Sequence, residues 1–261
     1  MRLEEYLTRI GVDRPLPPDV ATLRRLHIAH LAAFPFDNLQ IQRHGIVRVD
    51  VASIEEKFLG GTTGGYCFEQ NTLFGSVLRE LGFDVSTLLG RVGSPERRSL
   101  NHMILLVRIA GERWLADVGF GGEGPLEPLQ LREGLRQDQN GIVYMLRRGE
   151  HYWSLSMEAG GVSRELYEFS DAPHTTGDVE MANFYTANHP DSVFRKTLTI
   201  QRTTAEERVI LRHSVLTRYR NGVRTDTPIE PSQLRPLARE VFGVELGDEP
   251  LLFETLLPKS S

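Results

Sequence analysis

A second cysteine is missing from this sequence. Cys67 stands alone among 261 residues, which excludes an internal disulfide and a thiolate-rich zinc site and fits a reducing compartment. Basic tracts are missing too. Thirty Lys and Arg face 35 Asp and Glu, a formal charge of −5, and that balance argues against a nucleic-acid partner. No apolar run approaches the length of a membrane span, so no membrane partner is expected. The opening residues, Met1-Arg2-Leu3-Glu4-Glu5, are charged and lack the apolar core of a signal peptide, so the expected location is cytoplasmic. Repeats and low-complexity segments do not stand out. What remains, 40% hydrophobic and 25% charged, suits a globular chain long enough for one large core or a few small ones.

The lone cysteine sits in Gly64-Gly65-Tyr66-Cys67-Phe68-Glu69-Gln70-Asn71. The spacing of Leu73, Phe74, Val77, Leu78 and Leu81 predicts an amphipathic helix from about Tyr66 to Leu81, with Gly82 in the C′ position. Cys67 then falls in the first turn. There, unpaired N–H groups and the positive end of the helix dipole favour a thiolate over a thiol. Gly64 and Gly65 are expected to allow a sharp entry into the helix and a close approach of substrate to the sulfur.

Two later segments supply what a nucleophilic cysteine needs. Asn101-His102-Met103-Ile104-Leu105-Leu106-Val107-Arg108-Ile109 reads as an apolar strand that opens with a histidine. Trp114-Leu115-Ala116-Asp117-Val118 reads as one that ends in an aspartate, followed by Gly119-Phe120-Gly121-Gly122. The turn Ala110-Gly111-Glu112-Arg113 between them predicts an antiparallel hairpin. A loop at Ala110-Gly111 pairs Ile109 with Glu112 and places His102 opposite Gly119. One at Gly111-Glu112 places it opposite Gly121 on the same face, two residues further off, and a one-residue bulge would break the match. With the first loop, Asp117 becomes a diagonal neighbour of His102 on the same face, within side-chain reach. An aspartate in so apolar a strand is costly unless paired, and a histidine N–H is an economical partner. Asp117 would orient the ring and leave its other nitrogen to take the Cys67 proton. His102 alone of the eight histidines is placed beside an acid in this way; His27 and His30 read as face or core residues of a helix.

These segments carry a family resemblance. Gly-Gly-Tyr-Cys-Phe-Glu-Gln-Asn, then Asn-His in an apolar strand, then Asp-Val-Gly-Phe-Gly-Gly resembles the arylamine N-acetyltransferases. Pro35-Phe36-Asp37-Asn38-Leu39 is similar to that family's Pro-Phe-Glu-Asn-Leu box, and Asn188-His189-Pro190-Asp191-Ser192-Val193-Phe194 to its later Ser/Thr-Pro-x-Ser-x-Phe region. The likeness runs from about residue 20 to 200. It implies acetyl-CoA-dependent N-acetylation of arylamines or hydrazines, a role in xenobiotic metabolism, through an acetyl-Cys67 intermediate, with no metal. It implies that Phe36 and Phe120 wall the acceptor pocket and that Asn188, Phe194 and Arg98, with Arg97 beside it, meet CoA. Asp37 and Asn38 are expected to support loops. One position departs from the pattern: the family usually has an arginine where Thr63 stands, so a carboxylate beside it, Glu69 foremost, needs a substitute cation or water. An amide synthase that closes macrolactams, and a cysteine hydrolase, would use the same triad; a binding module would leave it an accident.

The fold class expected is α+β in three parts. Residues 1–82 read as helical, with helices at Leu3 to Ile10, from Asp19 to about Ala33, and after a capping box at Ser53-Ile54-Glu55-Glu56. Residues 83–177 switch to short strands at Val85–Leu89, Met103–Ile109, Trp114–Val118, Ile142–Leu146, Tyr152–Met157 and Leu166–Phe169, an antiparallel sheet or small barrel. Residues 178–261 mix strands at Leu198–Arg202, Arg208–Leu211 and Val215–Tyr219 with a helix around Ser232–Phe242, an α/β lid. The resemblance adds a papain-like cysteine-protease-type core.

Overall fold

The computed structural model describes residues 1–43, 45–93 and 99–256. Its first 82 residues are mainly helical, for local reasons. Leu3–Ile10 closes on Gly11, whose φ of 66° is the left-handed conformation of a helix end. Asp19 caps Val20–Ala33 by accepting the Thr22 N–H, as its position predicts. The next start differs from the expectation. Asp50 caps Val51–Gly60 by accepting the Ser53 N–H at 3.0 Å, so Ser53 lies inside the helix. An ionised carboxylate outcompetes a hydroxyl at a helix N-terminus. The helix Cys67–Glu80 follows its periodicity and fully buries Phe68, Leu73, Phe74, Val77 and Leu78.

Beyond Gly82 the chain builds an eight-stranded antiparallel sheet. Its spatial order is Leu129–Gln130, Glu112–Ala116, His102–Ile109, Asp84–Arg91, Val162–Phe169, Trp153–Ala159, Ile142–Arg148 and Arg136–Gln139. Both outer strands come from one stretch of chain. Between them the Leu131 N–H reaches the Arg113 carbonyl at 2.7 Å, and the Gly134 N–H reaches that of Leu146 at 3.0 Å. The sheet therefore curls into a nearly closed barrel, which leaves little open edge. Alternation divides the strand His102–Ile109 between two cores. Ile104 and Leu106 fill the barrel with Leu88, Leu115 and Leu155, while Met103, Leu105 and Val107 pack on the helices with Leu73, Phe74 and Val77. Burial on both faces is why that strand is apolar almost throughout.

Its hairpin has the expected register. Ala110 and Gly111 both take positive φ, 51° and 83°, the twist that two-residue hairpin loops require. Ile109 pairs with Glu112 and Leu105 with Ala116. The ladder then stops, short of the predicted strand end at Val118, because the Asp117 and Val118 N–H groups turn to His27 and Asn71.

Five more strands, Phe36–Asp37, Thr199–Thr203, Arg208–Arg212, Val215–Arg220 and Val223–Pro228, form a second antiparallel sheet. Its core is shared with Leu234, Ala238 and Phe242 of the helix Leu234–Phe242. The edge strand Phe36–Asp37 comes from the helical part of the chain, so it is a seam between the two. Asn38 fastens that seam: its buried amide donates to the Phe194 and Thr197 carbonyls at 2.7 and 2.8 Å and accepts the Thr199 N–H at 2.8 Å. The helix Thr176–Asn188 is not legible in the sequence. It buries the small Ala182, Thr186 and Ala187 and exposes Met181, Phe184 and Tyr185. No helix of the described residues is long and apolar enough to cross a membrane.

Replacing Asn38 by alanine leaves the Thr199 N–H without its acceptor, while Gln42 Nε2 still donates to the Phe194 carbonyl at 2.6 Å and to that of Thr197 at 3.4 Å. Asn38→Ala is expected to cost about 2 kcal/mol, read as a lower urea midpoint with an unchanged slope. A cost below roughly 0.5 kcal/mol would mean that the seam holds without it.

Candidate active site

Cys67 opens its helix almost buried, with Sγ 3.9 Å from the Asn101 carbonyl oxygen. The next residue, His102, begins its strand and lines the same cavity as Cys67. On its other side His102 Nε2 stands 2.7 Å from Asp117 Oδ2, so the diagonal placement read from the hairpin is the one observed. Phe120 and Tyr167 hold the imidazole, with ring centroids 5.2 and 4.9 Å from its own. The second Asp117 oxygen accepts the Asn71 amide at 3.1 Å and the Gly119 N–H at 3.0 Å. Gly119 has no alternative: a Cβ there would lie 2.6 Å from the Cys67 Cα. Only glycine lets the end of the hairpin run against the helix that Cys67 opens.

A cavity of about 460 Å³ exposes Cys67 and His102. Phe36, Phe120 and Phe194 line it, and Asp117 lies behind the imidazole. Asn188 is elsewhere. It is exposed at the end of its helix, and its amide donates to the Phe184 carbonyl at 2.9 Å. Arg97 and Arg98 lie outside the described residues. Burial alone would lower the His102 pKa, but the Asp117 carboxylate and Cys67 outweigh it and raise the value to about 10. Asp117 is held below its ordinary value, against its own burial, by His102, Asn71 and the Gly119 N–H.

The sequence matches the N-acetyltransferase family model over residues 19–251. It is 36% identical over 253 residues to the arylamine N-acetyltransferase / N-hydroxyarylamine O-acetyltransferase of Salmonella typhimurium, covering 94% of this chain and 90% of that one. The chain belongs to the arylamine N-acetyltransferase family. Solved structures agree. The arylamine N-acetyltransferase of Mycobacterium abscessus matches with a TM-score of 0.90 at 36% identity, over 98% of this chain and 95% of the other. The Mycobacterium marinum arylamine N-acetyltransferase in complex with CoA matches at 0.88 and 29%, over 94% and 95%.

In this chain several supporting side chains escape a sequence reading. Asn71 is one turn beyond Cys67 on the same helix, an i to i+4 spacing that could have marked it as facing the site. His27 and His30 are core residues, as read, but with tasks. The His27 Nδ1–H donates to the Leu126 carbonyl at 2.9 Å, which leaves Nε2 to accept the Asp117 N–H at 3.2 Å. The His30 Nε2–H donates to Gln70 Oε1 at 2.7 Å, while Gln70 donates to the Pro35 and Gly65 carbonyls. Burial holds both rings neutral, His27 with a pKa of about 4 and His30 of about 3.

The loop before Cys67 corrects a second expectation. Gly64 and Gly65 face protein, not substrate: a Cβ on Gly64 would strike the Pro35 carbonyl, and one on Gly65 the Glu69 carboxylate. Asp37 accepts the Gly64 and Leu39 N–H groups at 2.9 and 3.0 Å, and Asn38 fastens the seam, so both support loops as expected. Glu69 is buried, and Oε2 accepts the Tyr66 N–H at 3.2 Å. Its counter-ion comes not from position 63 but from Lys57 on the preceding helix, whose Nζ lies 2.7 Å from Oε1. Burial nevertheless raises the Glu69 pKa, with Lys57 acting against it.

Lys57→Met leaves that buried carboxylate without its cation. We expect a loss of about 3 kcal/mol in urea unfolding; a change within roughly 0.5 kcal/mol would show that the pair is not needed. The histidines set a second expectation, in pH. His27 and His30 have folded pKa values below the ordinary 6.5, so the unfolded chain binds more protons and stability falls as pH drops from 6.5 towards 4 and 3. His102 is shifted the other way, and its contribution is full below 6.5 and lost as pH rises towards 10. Urea midpoints should therefore peak at about pH 6–7. His27→Gln should flatten the acid side and His102→Gln the alkaline side; unchanged slopes in both variants would refute the assignment.

Proposed function

We propose that the protein transfers the acetyl group of acetyl-CoA to arylamines and hydrazines through an acetyl-Cys67 intermediate. The observation that carries this reading is the convergence of a first-turn cysteine and a histidine–aspartate pair on one aromatic-walled cavity. His102, on the same cavity, is the group that can hold the proton of the attacking sulfur. The thiolate adds to the thioester carbonyl, and the new oxyanion is held by N–H groups at the helix start. The bond to the CoA sulfur breaks, His102 gives that sulfur its proton, and Cys67 is left acetylated. In the second half the amine nitrogen attacks the acetyl carbon and gives its proton to His102. The C–N bond forms, the bond to Cys67 breaks, and the proton returns to the sulfur.

Asp117 keeps the ring oriented and neutralises the imidazolium throughout. Phe36 and Phe120 offer aromatic faces to an aromatic acceptor. Phe194 on the same wall is read as meeting the donor; a CoA-bound relative of like fold supports the choice of thioester. Asn188 and Arg98 remain proposed contacts to the outer part of CoA. We read the chain as a helical unit at 1–82, a barrel at 83–177 and a lid at 178–261, with a papain-like pairing of nucleophile helix and histidine strand. The lone cysteine supports a reducing, cytoplasmic setting, and the reaction suits xenobiotic metabolism.

Acetyl-CoA without acceptor should add a single acetyl increment to the intact mass, absent in Cys67→Ser. An arylamine should then discharge it; discharge by water alone would mark a hydrolase, and no loading from acetyl-CoA would favour the amide synthase. Iodoacetamide should label Cys67 at about pH 6 at least tenfold faster than in His102→Gln. Equal rates would sink that role for His102.

A further inference from the structure

The cavity that exposes Cys67 has a wall that this chemistry leaves unused. Arg164 and Arg212 stand on it, on the strands Val162–Phe169 and Arg208–Arg212, with Arg91, Glu123 and Glu165. Arg91 and Glu165 have partners of their own. Arg224 lies just behind, in an adjoining cleft shared with Arg164 and Glu123. Glu123 is buried and already engaged: Oε1 accepts the Tyr219 hydroxyl at 2.7 Å, and Oε2 pairs with Arg164. Arg224 comes only within 3.9 Å of Glu123 and pairs with Asp226 at 2.9 Å.

Arg212 is left over. It donates to the Gly121 carbonyl at 2.9 Å, and among the described residues it makes no ion pair. Its side chain is exposed and shares the cavity wall with Arg164, while Arg224 stands in the adjoining cleft. A guanidinium on a shared wall without its own counter-ion gains from any anion that docks beside it. Its place is close to the chemistry. Gly119 lies against Cys67, and Gly121, whose carbonyl holds Arg212, is two residues on, about 7 Å of chain at most.

We propose that Arg212, with Arg164 beside it, forms an oxyanion subsite in the Cys67 cavity that takes the phosphate or carboxylate carried by one of the two substrates. The planar fork of a guanidinium suits either group. Only the identity of those substrates rests on the transferase reading. Held away from the reacting carbonyl, the charge selects the substrate and leaves the acyl-transfer steps as written.

Protection of Cys67 from iodoacetamide tests this without turnover. S-Methyl-CoA is compared with S-methyl-pantetheine, and benzoate with benzamide, in wild type, Arg212→Gln and Arg212→Lys. Glutamine keeps a donor for the Gly121 carbonyl but no charge. In wild type at least one anionic probe should protect at roughly tenfold lower concentration than its neutral counterpart. That margin should vanish in Arg212→Gln and persist in part in Arg212→Lys. A margin in the CoA pair assigns the subsite to the donor phosphate, one in the benzoate pair to a carboxylate on the acceptor, and both to both. No margin in either pair, or one that survives in Arg212→Gln, overturns the proposal. Failure of Cys67 to take an acetyl group would sink the transferase reading and leave this result standing.

Discussion

The 2.7 Å contact between His102 Nε2 and Asp117 Oδ2 lies where little water reaches, with both side chains buried. Either group alone would be costly there. Together they are stable because the other carboxylate oxygen is met from two further parts of the chain. Asn71 comes from the helix that Cys67 opens and the Gly119 N–H from the end of the hairpin, while His27 takes the backbone N–H of Asp117 from the helix Val20–Ala33. The carboxylate thus ties barrel to helices at the point where Cys67 must meet His102. A shift of one residue in the hairpin would move Asp117 to the opposite face and leave the charge unpaired. The register is therefore fixed twice, by the left-handed turn at Ala110 and Gly111 and by the cost of orphaning the acid.

That double specification explains why so much of the site is legible in sequence. The turn chemistry, the strand period and the expense of an isolated aspartate all point to one pairing of His102 with Asp117, and the structure has it. The helix Cys67–Glu80 is equally legible, because its buried face carries large apolar residues at helical spacing. The helix Thr176–Asn188 is not, since its inward residues, Val179, Ala182, Asn183, Thr186 and Ala187, are small or polar and its outward ones include Met181, Phe184 and Tyr185. Apolar periodicity there marks the exposed face. The start at Asp50 is hidden for another reason: two acceptors stand three residues apart, and only charge decides between them.

Lys57 and the glycines fall in a third class. Each of their partners is close in space to something the sequence places elsewhere. A buried Glu69 demands a cation, and the demand is readable, but the donor could come from any neighbouring element. Gly64 and Gly65 read as openings for substrate because glycine next to a reactive sulfur permits approach. The structure fills both spaces with protein, the Pro35 carbonyl and the Glu69 carboxylate. Their smallness serves the loop itself, which is drawn tight by two acids, Asp37 on the Gly64 N–H and Glu69 on that of Tyr66.

Asp37 connects this loop to the far side of the molecule. It belongs to the edge strand of the second sheet, and Phe36 beside it makes a parallel bridge to Gly65. The segment Phe36-Asp37-Asn38 is therefore bonded to the nucleophile loop through Asp37 and to Phe194 and Thr197 through Asn38. Phe36 and Phe194, whose ring centroids lie 6.2 Å apart, face each other across that seam on the cavity wall. The shape of this cavity wall is consequently set by the same bonds that join the two sheets to the helices. A substitution that loosens the seam should alter that wall before it moves the histidine–aspartate pair, because His102, Asp117 and Asn71 are held by bonds that do not pass through residues 36–38.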